Sequence, residues 1–590
     1  MQDVQATKRG GGFMLGSPPA SEVFTPEDLS SEQRLIGETA SGFARDEVLP
    51  LLDKLESQEH EHSVALVRRA GELGLLAADI PEEFGGLGLP ITSSTLITEA
   101  IGQSGSFGIT FGAHTGIGTL PIVFFGNEDQ KRRYLPKLAT GEWIAAYALT
   151  EPDAGSDALG GKTTAALAPG GRQYVLRGQK QWITNAAFAD VFIVYAKVDG
   201  RMTAFIVRRD APGLSVGPEV KKMGIKGSST CAVYLNEVPV PAEDVLGEVG
   251  RGHIIAFNIL NIGRWKLAAG ALGGCKAVLA ASSRYAQQRQ QFGRPLASFP
   301  LIQQKLAAMA VRTYVLESMV YRTAGQLEEA VHALDLTGDA GQEAARAIGE
   351  YAVEASINKV FGSEVLDFVA DEGVQIHGGY GYMQEYMVER AYRDSRINRI
   401  FEGTNEINRL LIPGTLLRRT MKGELPLMEA LQDLQKELVQ FAPALGETAA
   451  ASDDPLAKER RLVDGLRKLT LMVAGQAVQK HMDNIEKEQE LLAAAADLSI
   501  ALYGAESAVL RAEKAGYPEG LVDMTRLFVH DALDEADATA RRALAALEEG
   551  DALRAQLGVA RRLTRRDPIN AVALGRAIAA RVLEAEGYPV

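Results

Sequence analysis

Apolar residues recur at helical spacing from about Pro26 to about Tyr147, give way to short strand-like runs, and resume helical spacing from about Ile254 onward. Thr25-Pro26-Glu27-Asp28 predicts the first helix start: a hydroxyl cap, a proline in the first turn, and acids where the helix dipole favours them. Pro81 and the Gly85-Gly86-Leu87-Gly88 turn interrupt the helical pattern. From Ala148 the signal is strand. Residues 163–168 and 173–177 flank Pro169-Gly170-Gly171, and Asp199-Gly200 joins Val191–Val198 to Met202–Val207 as a hairpin. Long helical segments are expected at Ile302–Leu327 and Ala344–Ala370, with a boundary between Gly414 and Pro426. From Leu427 to about Leu583 the pattern is helical again, with a loop expected at 449–455.

The pattern predicts an α+β protein: an N-terminal extension (1–24), a helical domain (25–147), a β-barrel or sandwich domain (148–250), a second helical domain (251–418) and an additional all-α domain (427–590). One helical stretch is unusual. Gly108 to Gly118 is rich in small residues, and each glycine costs about 1 kcal/mol against alanine in a helix. Either close packing or an open cavity beside Gly112, Ala113 and Gly116 would justify it.

Length and composition narrow the class. A chain of 590 residues with 46% hydrophobic and 23% charged residues is a multidomain globular protein. Its net charge of -14 argues against a general nucleic-acid binder, whose affinity comes from neutralising phosphates. Cys231 and Cys275 are the two cysteines; without CxxC or metal-ligand spacing they predict neither a disulfide framework nor a metal site, and fit a reducing compartment. Met1 to Ser21 has no secretory apolar segment, and no run approaches the roughly 18 apolar residues of a spanning helix. A cytoplasmic, bacterial-type protein is expected.

The chemistry gathers around Arg399 to Arg409. Glu402 lies between Ile400-Phe401 and Gly403, just before Thr404-Asn405-Glu406, which reads as a helix start. Apolar neighbours would shield this carboxylate and raise its pKa, making a base suited to neutral pH; taken alone, it would simply complement the helix dipole. Tyr147 to Asp157 holds Leu149, the hydroxyls of Thr150 and Ser156, and a turn glycine at Gly155, a combination suited to the polar edge atoms of a ring and to phosphate oxygens. Trp182 and Thr184 alternate about Ile183 and so share a strand face; a strand tryptophan is also common core material. Arg289-Gln-Gln-Phe-Gly-Arg294 offers a planar donor fork for pyrophosphate, and Gln375-Ile-His-Gly-Gly379 permits close approach of a nucleotide. There is no GxGxxG after a strand.

These motifs, in this order, resemble the acyl-CoA dehydrogenase family, closest to its very-long-chain branch with a C-terminal helical extension. The likeness runs from about Pro26 to about Leu417. It implies FAD contacts at Tyr147, Leu149, Thr150, Gly155, Ser156, Trp182, Thr184, Thr404 and Glu406, and contacts across a dimer at Arg289, Gln291, Phe292, Gln375 and Gly379. Substrate contacts fall at Ser156, Asn261, Arg264, Phe401 and Gly403, and Glu402 becomes the catalytic base. Some family members carry that acid beside the arginine instead; here Gly263 occupies the place. His377 is expected to be structural.

The resemblance further implies a long-chain acyl-CoA substrate in fatty-acid β-oxidation, an electron-transferring flavoprotein as acceptor, and a homodimer. An oxygen-using acyl-CoA oxidase and an assembly or scaffold protein keeping the fold are the rivals. Lys458 to Ala474, with Arg460, Arg461, Arg467 and Lys468 beside leucines, could lie on an anionic bilayer, giving peripheral contact with the inner membrane; burial against its own protein is the alternative.

Overall fold

The computed structural model describes residues 7–332, 334–336, 340–440 and 454–590. The capping box at Thr25 and Asp28 is present, but it closes only one 3-10 turn, Pro26–Asp28. Leu29 and Ser30 then extend, and the helix proper is Ser31–Phe43, capped by Ser30. The described N-terminal residues, from Thr7 on, are no loose appendage. Gly10 and Gly11 donate their amides to Glu350 Oε1 (2.9 Å) and Glu354 Oε1 (2.6 Å), and Phe13 and Met14 enter the main helical core. A Cβ on Gly10 would lie 1.8 Å from the Glu350 carbonyl, so only glycine permits this approach.

An eight-stranded sheet follows, ordered β6-β7-β3-β2-β4-β5-β8, with β1 parallel to β4. Its strands are β1 (Ala145–Ala148), β2 (Thr164–Leu167), β3 (Gln173–Thr184), β4 (Val191–Val198), β5 (Arg201–Arg208), β6 (Leu214–Val216), β7 (Thr230–Pro241) and β8 (Val245–Leu246). Asp199 and Gly200 form the expected two-residue hairpin between β4 and β5, both at positive φ as a primed turn requires. In β3 the register against β7 shifts between Lys180 and Ile183. The bulge falls at Trp182, whose φ is +56° and whose side chain is 57% exposed. This tryptophan is therefore not core material.

The helix Gly252–Gln288 runs through the centre, against Ile91–Gly102, Pro300–His332 and Ala352–His377. The pattern at 344–370 is two helices, Gly341–Glu350 and Ala352–His377, broken at Tyr351. The break turns the Tyr351 hydroxyl onto the Lys8 carbonyl and leaves the Glu350 carbonyl to accept from Arg419, tying the N-terminal strap in place. Gly414 interrupts nothing: it lies with Pro413 inside Asn405–Met421, and the break follows at Gly423, at positive φ. Of the loop expected at 449–455, residues 449–453 lie outside the described residues.

The glycine-rich stretch splits into Ser106–Gly112 and a π-helical turn, Ala113–Gly118. Both readings of it apply at different positions: a Cβ on Gly118 would lie 2.7 Å from Ala145 Cβ, whereas one on Gly112 would meet nothing within 4 Å. His114 is buried in the turn, accepting from the Ala145 amide at Nδ1 and donating from Nε2 to Leu138 O.

Ala457–His481, Gln489–Lys514, Glu519–Leu547 and Ala571–Glu584 form the C-terminal helical region. It is stitched inward by the buried ion pairs Arg511–Glu317 (2.6 Å) and Arg322–Glu506 (2.7 Å), while Arg467–Glu506 (2.6 Å) joins two of its own helices. The basic helix considered for a bilayer turns Leu462, Val463, Leu466 and Leu469 into the core. Arg460 and Lys468 pair with acids of the same protein. Contrary to expectation, Ser106–Phe125 and Gln489–Lys514 are long and apolar enough to cross a membrane by length and composition, yet both are mostly buried within the protein.

Candidate functional site

Glu402 sits at the tip of a turn between the 3-10 segment Arg396–Arg399 and the helix Asn405–Met421. Thr404 caps that helix, its hydroxyl accepting from the Ile407 amide at 3.2 Å. The cap fixes where the chain must turn, and Glu402 (φ +56°) and Gly403 (φ +79°) make the turn in the left-handed region. For a glutamate that conformation is strained, and strain of this kind is held by surroundings.

Two cations from different helices hold it. Arg264 Nε donates to the Glu402 carbonyl at 3.2 Å, and Arg264 Nη1 to Asn261 Oδ1 at 2.7 Å. Lys359 Nζ donates to the Gly403 carbonyl and to Asn405 Oδ1, both at 2.7 Å. Asn408 Nδ2 adds bonds to the carbonyls of Gly403 and Thr404. All these donors grip backbone or amide oxygens. The carboxylate stays free: Oε2 is buried with no hydrogen-bond partner among the described residues. Burial pushes Glu402 up to about 7, against the pull of Arg264 and Lys359. The Glu402 amide likewise makes no hydrogen bond among the described residues.

Room for the carboxylate comes from Gly263. A Cβ there would stand 2.6 Å from Glu402 Oε2, so an acid at 263 and an acid at 402 would compete for one space. Tyr147 lies beside the same group, near enough for Glu402 and Arg264 to bear on its ionisation, and its burial raises its pKa well above normal. Tyr147 and Leu149 are each 9% exposed.

At the rim, Gly155, Ser156 and Trp182 are exposed, and Thr150 and Thr184 half-buried. One buried pair fastens this rim: Lys180 Nζ lies 2.7 Å from Glu151 Oε1 and 3.1 Å from Leu149 O, while Glu151 also accepts the Lys162 and Thr163 amides. Burial alone would raise Glu151, yet Lys180 and these amides hold it below its usual value. Glu151→Gln should leave Lys180 buried and uncompensated, lowering stability by about 3 kcal/mol. An unchanged thermal midpoint in scanning calorimetry would contradict that.

Arg289, Gln291, Phe292, Gln375, Gly379 and Glu406 are all exposed. Arg289 lies over the Tyr380 ring, so the end of Gly252–Gln288 and the segment Gly378–Tyr382 form one surface patch. Phe292, at φ +52° and 93% exposed, caps a small hairpin there. Arg264 and Arg289 sit 25 positions apart, which at 1.5 Å per residue is about 37 Å along the chain's central helix. His377 is structural, its Nδ1 facing Gly373 O and its ring stacked on Tyr285.

Sequence reasoning missed Lys359 and Asn408. Lys359 shares a helix face with Ala355 and Ser363 in an otherwise apolar stretch, and a lysine at such a core position is the signal that could have found it. The helix after the turn is further braced by Arg409, which binds Glu364 and, at 2.7 Å, Asp497 of the C-terminal region. A cleft of about 1010 Å³ lies beyond Arg409 and Asp497; no residue expected to meet cofactor or substrate lines it.

Glu402, its pKa raised by burial and its Oε2 without a hydrogen-bond partner among the described residues, stands on a helix–sheet–helix scaffold, the kind of perturbed carboxylate that marks a functional site. Models of the acyl-CoA dehydrogenase N-terminal, middle and C-terminal domains match residues 30–142, 146–238 and 250–417, and a further acyl-CoA dehydrogenase C-terminal domain model matches 465–562. A probable acyl-CoA dehydrogenase of Bacillus subtilis is 54% identical over 100% of this chain and 99% of its own length. The very long-chain specific acyl-CoA dehydrogenase of Bos taurus mitochondria is 36% identical over 86% of this chain and 79% of its own. A Bacillus anthracis acyl-CoA dehydrogenase crystallised with FAD superposes with a TM-score of 0.96, at 55% identity, covering 99% of this chain and 100% of that one. The chain belongs to the acyl-CoA dehydrogenase family.

Proposed function

We propose that this enzyme uses FAD to introduce a trans α,β double bond into long-chain acyl-CoA thioesters in fatty-acid β-oxidation, with Glu402 as the base. The observation carrying this reading is the Glu402 carboxylate held over Gly263, its Oε2 buried and without a hydrogen-bond partner among the described residues. In the unprotonated state it takes the α-proton, and the adjoining backbone amide of Glu402 is available to the thioester oxygen as negative charge develops there. FAD, when bound, accepts the β-hydrogen as hydride.

The residues present fit that cofactor. Trp182 offers an exposed ring at the bulge, Thr184 a hydroxyl on the same strand, and Gly155 and Gly379 face open space. Ser156, Asn261, Arg264, Phe401 and Gly403 are the substrate-side set, Arg264 and Asn261 already bonded to one another. The patch of Arg289, Gln291, Phe292, Gln375 and Gly379 lies too far along the central helix to serve the ligand end beside Glu402, which supports a homodimer in which it serves the partner's cofactor. An electron-transferring flavoprotein is the proposed acceptor and the cytoplasm the proposed compartment.

Anaerobic mixing of the purified holoprotein with saturated acyl-CoAs of increasing length tests the proposal. Flavin bleaching should be fastest with long chains. Bound flavin that no acyl-CoA reduces would overturn the substrate reading, and peroxide formed in step with turnover would point to an oxidase.

A further inference from the structure

We propose that Lys359 is a positioning residue for the proton-abstracting carboxylate, clamping the left-handed turn at Glu402–Gly403 while leaving the carboxylate free. The inference deepens the function proposed above and rests on it. Lys359 is fully buried on Ala352–His377, and its ammonium has two short contacts, the Gly403 carbonyl and Asn405 Oδ1. Neither acceptor is a carboxylate. Asn405 is itself fixed: its Nδ2 donates to Ser363 Oγ and Glu364 Oε1, each at 3.0 Å. The lysine thus ties the turn to the helix that carries Ser363 and Glu364.

The arrangement answers a conflict in the chemistry. A base near neutrality needs shielding from water, yet a buried carboxylate with no cation nearby would stay protonated. A cation bonded directly to it would lower its pKa and compete with the substrate proton. Placing Arg264 on the Glu402 carbonyl and Lys359 on the Gly403 carbonyl supplies the field without the bond. Around the carboxylate the charged and titratable groups are Arg264, Lys359 and Tyr147; around the ammonium they are Glu402, Arg264, Glu406 and Glu364. Burial brings Lys359 down to about 7, opposed by Glu402.

The test compares Lys359→Met and Lys359→Gln holoenzymes with the wild type. The rate of anaerobic flavin reduction is followed across neutral pH, and amide hydrogen exchange over residues 399–408 is measured without substrate. Lys359→Met should slow reduction about 10-fold or more, move the midpoint of its rise with pH upward by about one unit, and speed exchange at 399–408 while 457–481 is unchanged. Lys359→Gln keeps a donor without the charge, so it should show the same pH displacement with less added exchange. An equal loss of rate at every pH with an unmoved midpoint, or unchanged exchange at 399–408, would overturn the proposal. So would failure of both variants to fold, which would make the lysine a packing element only. Failure of the function reading is separate: it appears in the wild type, as flavin that no acyl-CoA reduces, and leaves the exchange measurement standing.

Discussion

Glu402→Gln keeps its FAD and loses turnover by at least about 1,000-fold, the scale expected when a general base is removed from a positioned site. Glutamine preserves the shape of the side chain over Gly263 but cannot take a proton. In the wild type, reduction should rise with pH through about 7, because burial raises Glu402 to that value and only the unprotonated form is active. A stability readout accompanies this. A carboxyl raised in the folded state stabilises the fold below its unfolded pKa, and that contribution is lost as pH rises toward 7. Glu402→Gln should therefore melt higher than the wild type at mildly alkaline pH and equal to it well below the ordinary glutamate pKa. Stopped-flow reduction and calorimetry across pH check both, and a variant retaining substantial activity would remove Glu402 from the role.

Gly263→Ala lowers the rate of flavin reduction about 100-fold without lowering thermal stability. The added methyl would stand 2.6 Å from Glu402 Oε2. That oxygen ends a flexible side chain, so the clash is relieved by swinging the carboxylate aside rather than by disturbing the core. The helix itself gains from the exchange, since alanine is favoured over glycine by about 1 kcal/mol. Catalysis loses, because a displacement of about 1 Å in a reacting group can cost about 100-fold. Steady-state kinetics with a differential melting measurement separates these effects. Near-native rates in Gly263→Ala would show that the carboxylate does not work from the space above residue 263.

Much of the site was legible from the chain alone because its signals are local. Thr404 before Asn405-Glu406 announces a helix start, and Glu402 follows from it as an acid at that entrance. Asp199-Gly200 gives its hairpin for the same reason, since two adjacent positive φ values are a property of those residues. Other local signals were real yet incomplete. The Thr25 box formed, but one 3-10 turn was all it governed once Ser30 offered a second cap. Taken alone, Trp182 reads more readily as core than as a ligand platform, because a bulge depends on how β3 and β7 align, and a single strand does not contain its partner's register.

The sequence by itself determined the alternation of helical, strand and helical regions, the caps and turns that separate them, and which carboxylate stands at the decisive helix entrance. These follow from interactions between residues a few positions apart. Tertiary structure alone decided that Gly263 makes the space for Glu402, that Lys359 and Arg264 grip the turn's carbonyls and spare its carboxylate, and that the glycines at the N-terminus lock against Glu350 and Glu354. Each joins residues dozens to hundreds of positions apart, and what joins them is burial: a buried cation must find oxygen atoms, and a buried carboxylate must find room, wherever in the chain these lie.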